Sequence, residues 1–234
     1  MTENQTTEPS DLLITISSPR SPISEAYRTL RTNLQFVSLD KPLQTLLVTS
    51  PGPEEGKSTM LANLAVTMAQ GEKKVILVDC DLRRPSLHKL FGLQQKRGLT
   101  TMMLEDKAMR DPPLQETGVP GLRLLASGPL PPSPPDLLGS KRMDRVLEAL
   151  MERAEVVLLD APPVVGVSDA AILATKVDGV MLVVSAGQTK RDSVQTTKAM
   201  LEKVNANLIG AVLTNVPLDA ALQRYYYTQQ EGEE

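Results

Sequence analysis

A loop that combines glycine, lysine and hydroxyl residues lies between an apolar run and a helix-length stretch. Its sequence is SPGPEEGKST, over residues 50–59. Between a strand and a helix N-terminus, such a loop directs backbone N–H groups and the helix dipole toward a phosphate. Lys57 then offers a cation to the outer phosphates, and the Ser58 hydroxyl is placed for Mg²⁺. The sequence predicts a nucleotide site formed by Gly52, Pro53, Glu54, Glu55, Gly56, Lys57, Ser58 and Thr59.

The loop departs from the usual spacing G-x-x-x-x-G-K-[ST]. Pro51 stands at the position of the first glycine, and Gly52 comes one position late. The side chains of Glu54 and Glu55 must point away from a bound triphosphate or weaken its binding. The alternative is a coincidental strand–turn–helix that carries the string GKST, but the flanking elements favour nucleotide binding.

Three aspartates follow apolar runs elsewhere in the chain. Asp79 and Asp81 come after the run that begins at Val75, and Asp160 ends the run that begins at Val156. In open α/β sheets the ligand lies outside the carboxyl ends of the strands, so these side chains should converge near the loop. Mg²⁺ takes only one or two protein carboxylates, which leaves one as a base. The alternative, that Asp79 or Asp81 caps the following turn, is plausible for one of them.

Short apolar runs indicate the strands that must position these groups. They are uniformly apolar rather than alternating, as expected for strands covered on both faces of a parallel sheet. One of them is interrupted by Arg123, which places it nearer an edge. The runs are Leu46–Val48, Val75–Val78, Leu122–Ala126, Val156–Leu159, Val180–Val184 and Leu208–Leu213.

Helix-length stretches alternate with these runs. This alternation predicts an α/β fold, a doubly wound and mainly parallel sheet with helices on both faces. The predicted helices are Ser58–Gln70, Lys141–Arg153, Ser168–Thr175 and Thr189–Val204.

Three terminal segments complete the predicted organisation. Residues 1–20 are polar and contain prolines, which predicts a flexible arm. Residues 21–39 read as an amphipathic helix that opens the main domain, 21–216. Residues 217–234 form a polar C-terminal tail.

Composition excludes several classes of protein. With one cysteine and one histidine, the 234-residue chain has neither a disulfide framework nor a Cys/His zinc site. A formal net charge of −3 argues against a partner nucleic acid. No apolar run approaches the roughly 20 residues that cross a bilayer. We therefore expect a soluble protein of a reducing compartment.

Together these segments resemble the bacterial tyrosine kinases of capsule and exopolysaccharide synthesis, which are P-loop ATPases related to MinD and ParA. Residues 50–59 resemble their Walker A motif, 75–85 their Walker A′ motif and 156–163 their Walker B motif. The resemblance implies a P-loop NTPase sheet, ATP as cosubstrate and Mg²⁺ as cofactor. It implies catalytic roles for Lys57, Asp79, Asp81 and Asp160, with Asp79 activating the tyrosine hydroxyl, and metal contacts from Ser58, Asp81 and Asp160. Asn215, after the last strand, is a candidate contact to the base.

The segment EAYRTLR matches the family's E-x-x-R-x-x-R oligomerisation motif at Glu25, Arg28 and Arg31. On a helix these charges form a strip away from the apolar stripe, where they are free to meet another subunit. The alternative is an intrahelical Glu–Arg pair, which contributes only about 0.2–0.5 kcal/mol.

Three of the four tyrosines, Tyr225, Tyr226 and Tyr227, are adjacent in the polar tail. Buried aromatic residues are normally spread at strand or helix spacing, so packing explains this cluster poorly. In the family such a tail is phosphorylated by a neighbouring protomer. The resemblance implies a ring-shaped homo-oligomer, and a membrane co-polymerase partner that activates the kinase through a cytoplasmic segment. It also implies a tyrosine phosphatase and a cytoplasmic location at the inner face of the membrane.

Two other functions remain open at this stage. A MinD/ParA-like ATPase shares the loop and the aspartates, but it gives no reason for the tyrosine cluster or the E-x-x-R-x-x-R helix. A non-catalytic scaffold that binds nucleotide would be compatible with the unusual loop from Pro51 to Glu55.

Overall fold

The computed structural model of the chain describes residues 10–37 and 42–217. In this part of the chain a seven-stranded sheet forms the centre, with the strand order β3-β4-β2-β5-β1-β6-β7. All pairs are parallel except β3 with β4. The strands are β1 Thr45–Thr49, β2 Val75–Asp79, β3 Gln115–Glu116, β4 Leu122–Leu125, β5 Val156–Asp160, β6 Gly179–Ser185 and β7 Leu208–Thr214.

The described helices cover both faces of the sheet, and each face has its own apolar core. This arrangement confirms the doubly wound, mainly parallel α/β prediction. The helices are α1 Ile14–Ser17, α2 Pro22–Val37, α3 Lys57–Gln70, α4 Leu87–Leu90, α5 Leu99–Leu104, α6 Asp106–Arg110, α7 Pro134–Gly139, α8 Lys141–Met151, α9 Asp169–Ala174 and α10 Arg191–Lys203.

The central strands β1, β2 and β5 are buried almost throughout, because helices cover both of their faces. Their adjacent carboxyl ends carry the loop before α3 and the aspartates at the ends of β2 and β5. Asp79 and Asp160 are partners in the register of these two strands. The topology therefore brings the predicted chemical groups to one edge of the sheet.

The N-terminal segment differs from the flexible arm that the sequence predicts. Within it, residues 10–20 are folded against α3. The Leu13 side chain is fully buried, and the backbone N–H and hydroxyl of Thr15 both donate to Asn63 Oδ1, at 3.0 and 2.9 Å. Asn63 in turn donates to the carbonyl of Leu12. A buried asparagine on α3 thus satisfies backbone groups of a segment that is polar in sequence.

Helix α2 packs on α3 through Tyr27, Leu30 and Leu34. The prediction that its charged strip is free to meet another subunit is wrong for Arg31, which donates to the carbonyl of Thr67 at 2.7 Å. That carbonyl lies in the last turn of α3 and also accepts the N–H of Gly71 at 3.2 Å, so Arg31 is a second donor to it. Arg28 pairs with Glu25 on its own helix, which is the intrahelical alternative.

Candidate active site

The loop between β1 and α3 brings backbone N–H groups to the start of a long helix. Gly56 precedes Lys57 with φ 80° and ψ 12°, a left-handed conformation that favours glycine. Behind it, the Thr214 side chain lies 3.6 Å from the position of an added Cβ. The left-handed turn lets the chain enter α3 with its free N–H groups facing the loop, which suits an anion.

The Lys57 ammonium lies between two carboxylates. Its Nζ is 3.2 Å from Asp81 Oδ2 and 3.2 Å from Asp160 Oδ1. Burial alone would lower the pKa of Lys57, but the charges of Asp160 and Asp81 outweigh it and raise that pKa. Lys57 is therefore a cation here, held at the mouth of the loop by the ends of β2 and β5.

The Ser58 hydroxyl donates to Asp160 Oδ2 at 2.5 Å. Burial raises the pKa of Asp160, and the neighbouring Lys57 charge opposes that rise. Ser58, Asp160 and Asp81 together offer the hard oxygen ligands that Mg²⁺ prefers.

These oxygens fit a metal that is shared with a nucleotide. Among the described residues, no group of three or more Asp, Glu, His or Cys side chains is arranged to hold a metal ion. Mg²⁺ in phosphate-transfer sites instead uses one or two carboxylates together with water and substrate phosphates. Ser58 and Asp160, already in contact, match that smaller requirement.

Asp79 is fully buried at the end of β2. Its Oδ2 accepts the backbone N–H groups of Ser86 and Leu87, each at 3.0 Å. Its Oδ1 is also buried but has no hydrogen-bond partner within the described structure. Burial, and next the charge of Asp160, raise the pKa of Asp79 to about 8. Asp79 is therefore a carboxyl group that holds its proton near neutral pH and has one unused oxygen.

Asp81 is oriented by the backbone that follows it. Its Oδ1 accepts the N–H groups of Arg83 and Arg84, at 3.3 and 2.9 Å. Its Oδ2 is left to face Lys57. The turn-capping alternative considered from the sequence therefore describes part of what both Asp79 and Asp81 do, in addition to their place beside the loop.

Glu55, one of the predicted loop residues, makes a contact that the sequence did not predict. Its side chain turns into the loop, where Oε1 accepts the N–H of Gly52 at 2.8 Å. Its Oε2 is buried without a partner among the described residues. The Thr214 hydroxyl donates to the Glu55 carbonyl at 2.7 Å. Glu54, in contrast, is exposed with φ 60°. No sequence pattern indicates which of the two adjacent glutamates is buried and bonded to Gly52.

The remaining predicted residues lie apart from this centre. Asn215 follows β7, and its Nδ2 donates to Ser185 Oγ at 2.9 Å, which places it at the same edge of the sheet. Glu25 and Arg28 lie on α2. The tyrosine cluster, Tyr225, Tyr226 and Tyr227, lies outside the described residues.

Comparison with protein families and curated proteins identifies relatives. Residues 43–219 match the ParA family model, described as NUBPL iron-transfer P-loop NTPase. The chain is 38% identical to the tyrosine-protein kinase YwqD of Bacillus subtilis, over 94% of this chain and 92% of that protein. It is 34% identical to the putative tyrosine-protein kinase CapB of Staphylococcus aureus, over 89% and 91%. It also matches Etk of Escherichia coli at 32% identity, but over only 28% of that longer protein.

Solved structures give the same grouping. The kinase domain of Escherichia coli ETK superposes with a TM-score of 0.86 at 30% identity, covering 94% of this chain and 85% of that one. The chimerical protein CapA2B2 superposes with a TM-score of 0.84 at 34% identity, covering 90% and 92%. The septum site-determining protein MinD of Pyrococcus horikoshii, at 18% identity and a TM-score of 0.61, shares the fold.

Proposed function

Because the chain belongs to the ParA-like P-loop NTPases and, among them, to the bacterial tyrosine-protein kinases, we propose that it transfers phosphate from ATP to Tyr225, Tyr226 and Tyr227 of another copy. The observation that carries the proposal is the position of Lys57, 3.2 Å from both Asp81 and Asp160 at the end of the phosphate loop. A cation beside two carboxylates at this point supports a site for the terminal phosphates of a nucleotide together with Mg²⁺.

The loop and its helix bind ATP, and Lys57 stabilises the charge that develops on the transferring phosphoryl group. Ser58, Asp160 and Asp81 hold Mg²⁺, which neutralises the negative charge of the phosphates when it is bound. Lys57 exchanges part of its contact with the carboxylates for contact with phosphate oxygens. Asn215 contacts the base.

Asp79, in its ionised form, accepts the proton of the attacking tyrosine. As the phenolic oxygen bonds to the γ-phosphorus, the bond from that phosphorus to the β-phosphate oxygen breaks and ADP leaves. A base works best when its pKa lies near the working pH, and burial raises the pKa of Asp79 to about 8. Its unpartnered Oδ1 is the atom available for this proton.

The acceptors are the tail tyrosines rather than the remaining tyrosine, Tyr27. Tyr27 packs in the core between α2 and α3, and burial raises its pKa to about 12. A phenol in that position is poorly placed as a nucleophile. The three adjacent tyrosines in the polar tail have no comparable constraint from their sequence context.

The protein assembles as a ring of identical subunits through α2, with Glu25 and Arg28 at the contact, whereas Arg31 holds α2 on α3. Each phosphotyrosine adds about −1.5 to −2 at neutral pH, so three add about −4.5 to −6. That change exceeds the formal charge of −3 of the whole chain. Repulsion from the carboxylate-lined site then releases the tails, and the ring separates into smaller species.

The biological setting is the control of capsule or exopolysaccharide production, as the names CapB and EpsB of its relatives suggest. None of the described helices has the length and apolar composition needed to cross a bilayer. A membrane co-polymerase recruits the kinase to the inner face of the membrane and activates it through a cytoplasmic segment. A tyrosine phosphatase reverses the modification.

The test is intact mass after incubation with Mg-ATP, followed by peptide mapping, with ADP release measured in parallel. Wild type, Lys57→Met and a Tyr225/226/227→Phe triple variant are compared, each with and without the partner's cytoplasmic segment. Phosphate-sized increments confined to the tail and absent from both variants support the kinase. ADP release without increments supports a MinD/ParA-like ATPase. Absence of both with the activating segment present supports a nucleotide-binding scaffold.

A further inference from the structure

A bidentate ion pair lies beside the candidate active site but contacts neither Lys57 nor Asp160. Arg83 Nε is 2.9 Å from Asp169 Oδ2, and Arg83 Nη2 is 3.0 Å from Asp169 Oδ1. The Asp169 side chain is completely buried, whereas the Arg83 side chain is 40% exposed. A buried carboxylate is stable only when it is paired, so Asp169 holds the Arg83 side chain in one orientation.

Arg83 belongs to the turn that orients Asp81. The backbone N–H groups of Arg83 and Arg84 both donate to Asp81 Oδ1. Through these bonds the position of residue 83 decides where the Asp81 carboxylate points. The opposite oxygen, Oδ2, is the one that faces Lys57 at 3.2 Å.

Asp169 belongs to the segment that follows Asp160, and that segment is tied to the start of the phosphate loop. The Thr49 hydroxyl donates to the carbonyl of Pro162 at 2.7 Å. The N–H of Val164 donates to the carbonyl of Ser50 at 2.9 Å. The ion pair therefore joins the turn after β2 to a segment already bonded to β1 and its loop.

We propose that Arg83 and Asp169 are positioning residues that hold Asp81 toward Lys57 and Mg²⁺. The inference rests on the proposed function for the identity of the metal, and it adds two residues that act through Asp81 rather than on the substrate. When either partner is removed, the turn after β2 loses its anchor, and Asp81 Oδ2 no longer keeps its direction. Groups that orient metal ligands in this way typically change metal affinity about 10–100-fold.

The experiment measures the affinity of a fluorescent ADP analogue for the full chain, with and without Mg²⁺. The variants are Arg83→Gln, Arg83→Lys, Asp169→Asn and the double variant Arg83→Gln/Asp169→Asn. Arg83→Lys keeps the positive charge but cannot form the bidentate hydrogen bonds with Asp169. The matched control is Arg97→Gln, which removes another arginine–carboxylate pair of 2.9 Å, with Glu105, on an exposed surface.

We expect the enhancement of nucleotide affinity by Mg²⁺ to fall about 10-fold in Arg83→Gln and in Asp169→Asn, with affinity in the absence of Mg²⁺ little changed. The double variant should be no worse than either single one, because both remove the same interaction. Arg83→Lys should lie between Arg83→Gln and wild type. Arg97→Gln should match wild type.

A merely structural pair would lower thermal stability and weaken nucleotide binding equally with and without Mg²⁺. That result, or an Mg²⁺ enhancement equal to wild type in Arg83→Gln, overturns the proposal. If Asp169→Asn does not fold, the two Arg83 variants decide the question. Because nucleotide binding is measured without tyrosine transfer, failure of the kinase proposal would show separately, as absent tail phosphorylation in the wild type.

Discussion

Glu55 Oε1 accepts the N–H of Gly52 at 2.8 Å, so a carboxylate side chain within the phosphate loop stabilises the conformation of that loop. The usual loop begins with a glycine, but here Pro51 occupies that position. The two glutamates of the loop therefore have different environments: the Glu55 side chain links residue 55 to residue 52 inside the loop, whereas Glu54 is exposed.

The hydrogen bond between Glu55 and Gly52 predicts the effect of substituting Glu55. Glu55→Ala should weaken ATP binding about 10-fold, because a hydrogen bond to a charged group contributes about 1.5–3 kcal/mol and the loop loses its preorganised shape. Glu55→Gln keeps an acceptor oxygen and should stay near wild type. Titration calorimetry with Mg-ATP measures both. The control is Glu54→Ala, which removes the same charge from an exposed neighbour. Equal losses of ATP affinity in Glu54→Ala and Glu55→Ala would show that the hydrogen bond between Glu55 and Gly52 does not support binding.

Lys57→Met should abolish phosphate transfer and also destabilise the protein, by about 3–5 kcal/mol, because it leaves the buried Asp160 without its cation. The loss should be smaller at low pH, where Asp160 takes up a proton and no longer needs a positive neighbour. Thermal denaturation at pH 5 and pH 8 measures this difference. Adding Asp160→Asn to Lys57→Met should restore part of the stability. No such recovery, or an equal loss at both pH values, would show that the loss of stability does not come from an unpaired charge on Asp160.

Asp79 makes the stability of the protein dependent on pH. In the folded state its pKa is about 8, above the ordinary value of 3.8, so the folded protein holds this proton up to pH 8 while the unfolded chain releases it near pH 4. Wild type therefore loses stability through this group as pH rises from about 4 to 8. Asp79→Asn has no proton to lose, so its melting temperature relative to wild type should increase over that interval. A difference that is constant with pH would refute the raised pKa.

The raised pKa of Asp79 also predicts how the rate of tail phosphorylation depends on pH. Asp79 must be ionised to accept the tyrosine proton, so the rate of tail phosphorylation by wild type should rise toward pH 8. Asp79→Asn should remove the reaction and leave nucleotide binding in place, since its amide oxygen can still accept from Ser86 and Leu87. Quantitative mass spectrometry at a series of pH values measures the profile. Full phosphate transfer by Asp79→Asn would show that another group accepts the tyrosine proton.

The two arginines of the α2 motif should contribute to different properties, Arg31 to the stability of the subunit and Arg28 to its assembly. Arg31→Ala should lower the stability of the dilute protein, by about 1 kcal/mol of unfolding free energy, because the Thr67 carbonyl loses one of its two donors and α2 loses a hydrogen bond to α3. Arg28→Ala removes the pair with Glu25 and a hydrogen bond to the Pro19 carbonyl, and because that hydrogen bond is exposed to solvent the substitution should have a smaller effect on that stability. If α2 forms the subunit contact, Arg28→Ala should change the oligomeric mass measured by light scattering. Equal thermal losses for the two variants would contradict this division.

Local pattern predicts much of the fold and of the site. Each of the central strands appears in sequence as an uninterrupted apolar run, because a strand covered on both faces needs no polar alternation. The loop GKST and the aspartates at strand ends can be placed together for a similar reason. In a parallel sheet, the residue that ends a strand lies at the ligand-binding edge whatever the rest of the chain does.

Only the tertiary structure decided the contacts that support this site. Glu55 meets Gly52, and Arg83 meets Asp169, because packing leaves a backbone group or a buried carboxylate in need of a partner. Arg31 reaches the Thr67 carbonyl because α2 packs on α3. The docking of residues 10–20 on Asn63 has the same origin. Periodicity reports which face of an element is apolar, whereas these partners depend on which polar groups remain unsatisfied once distant elements have packed.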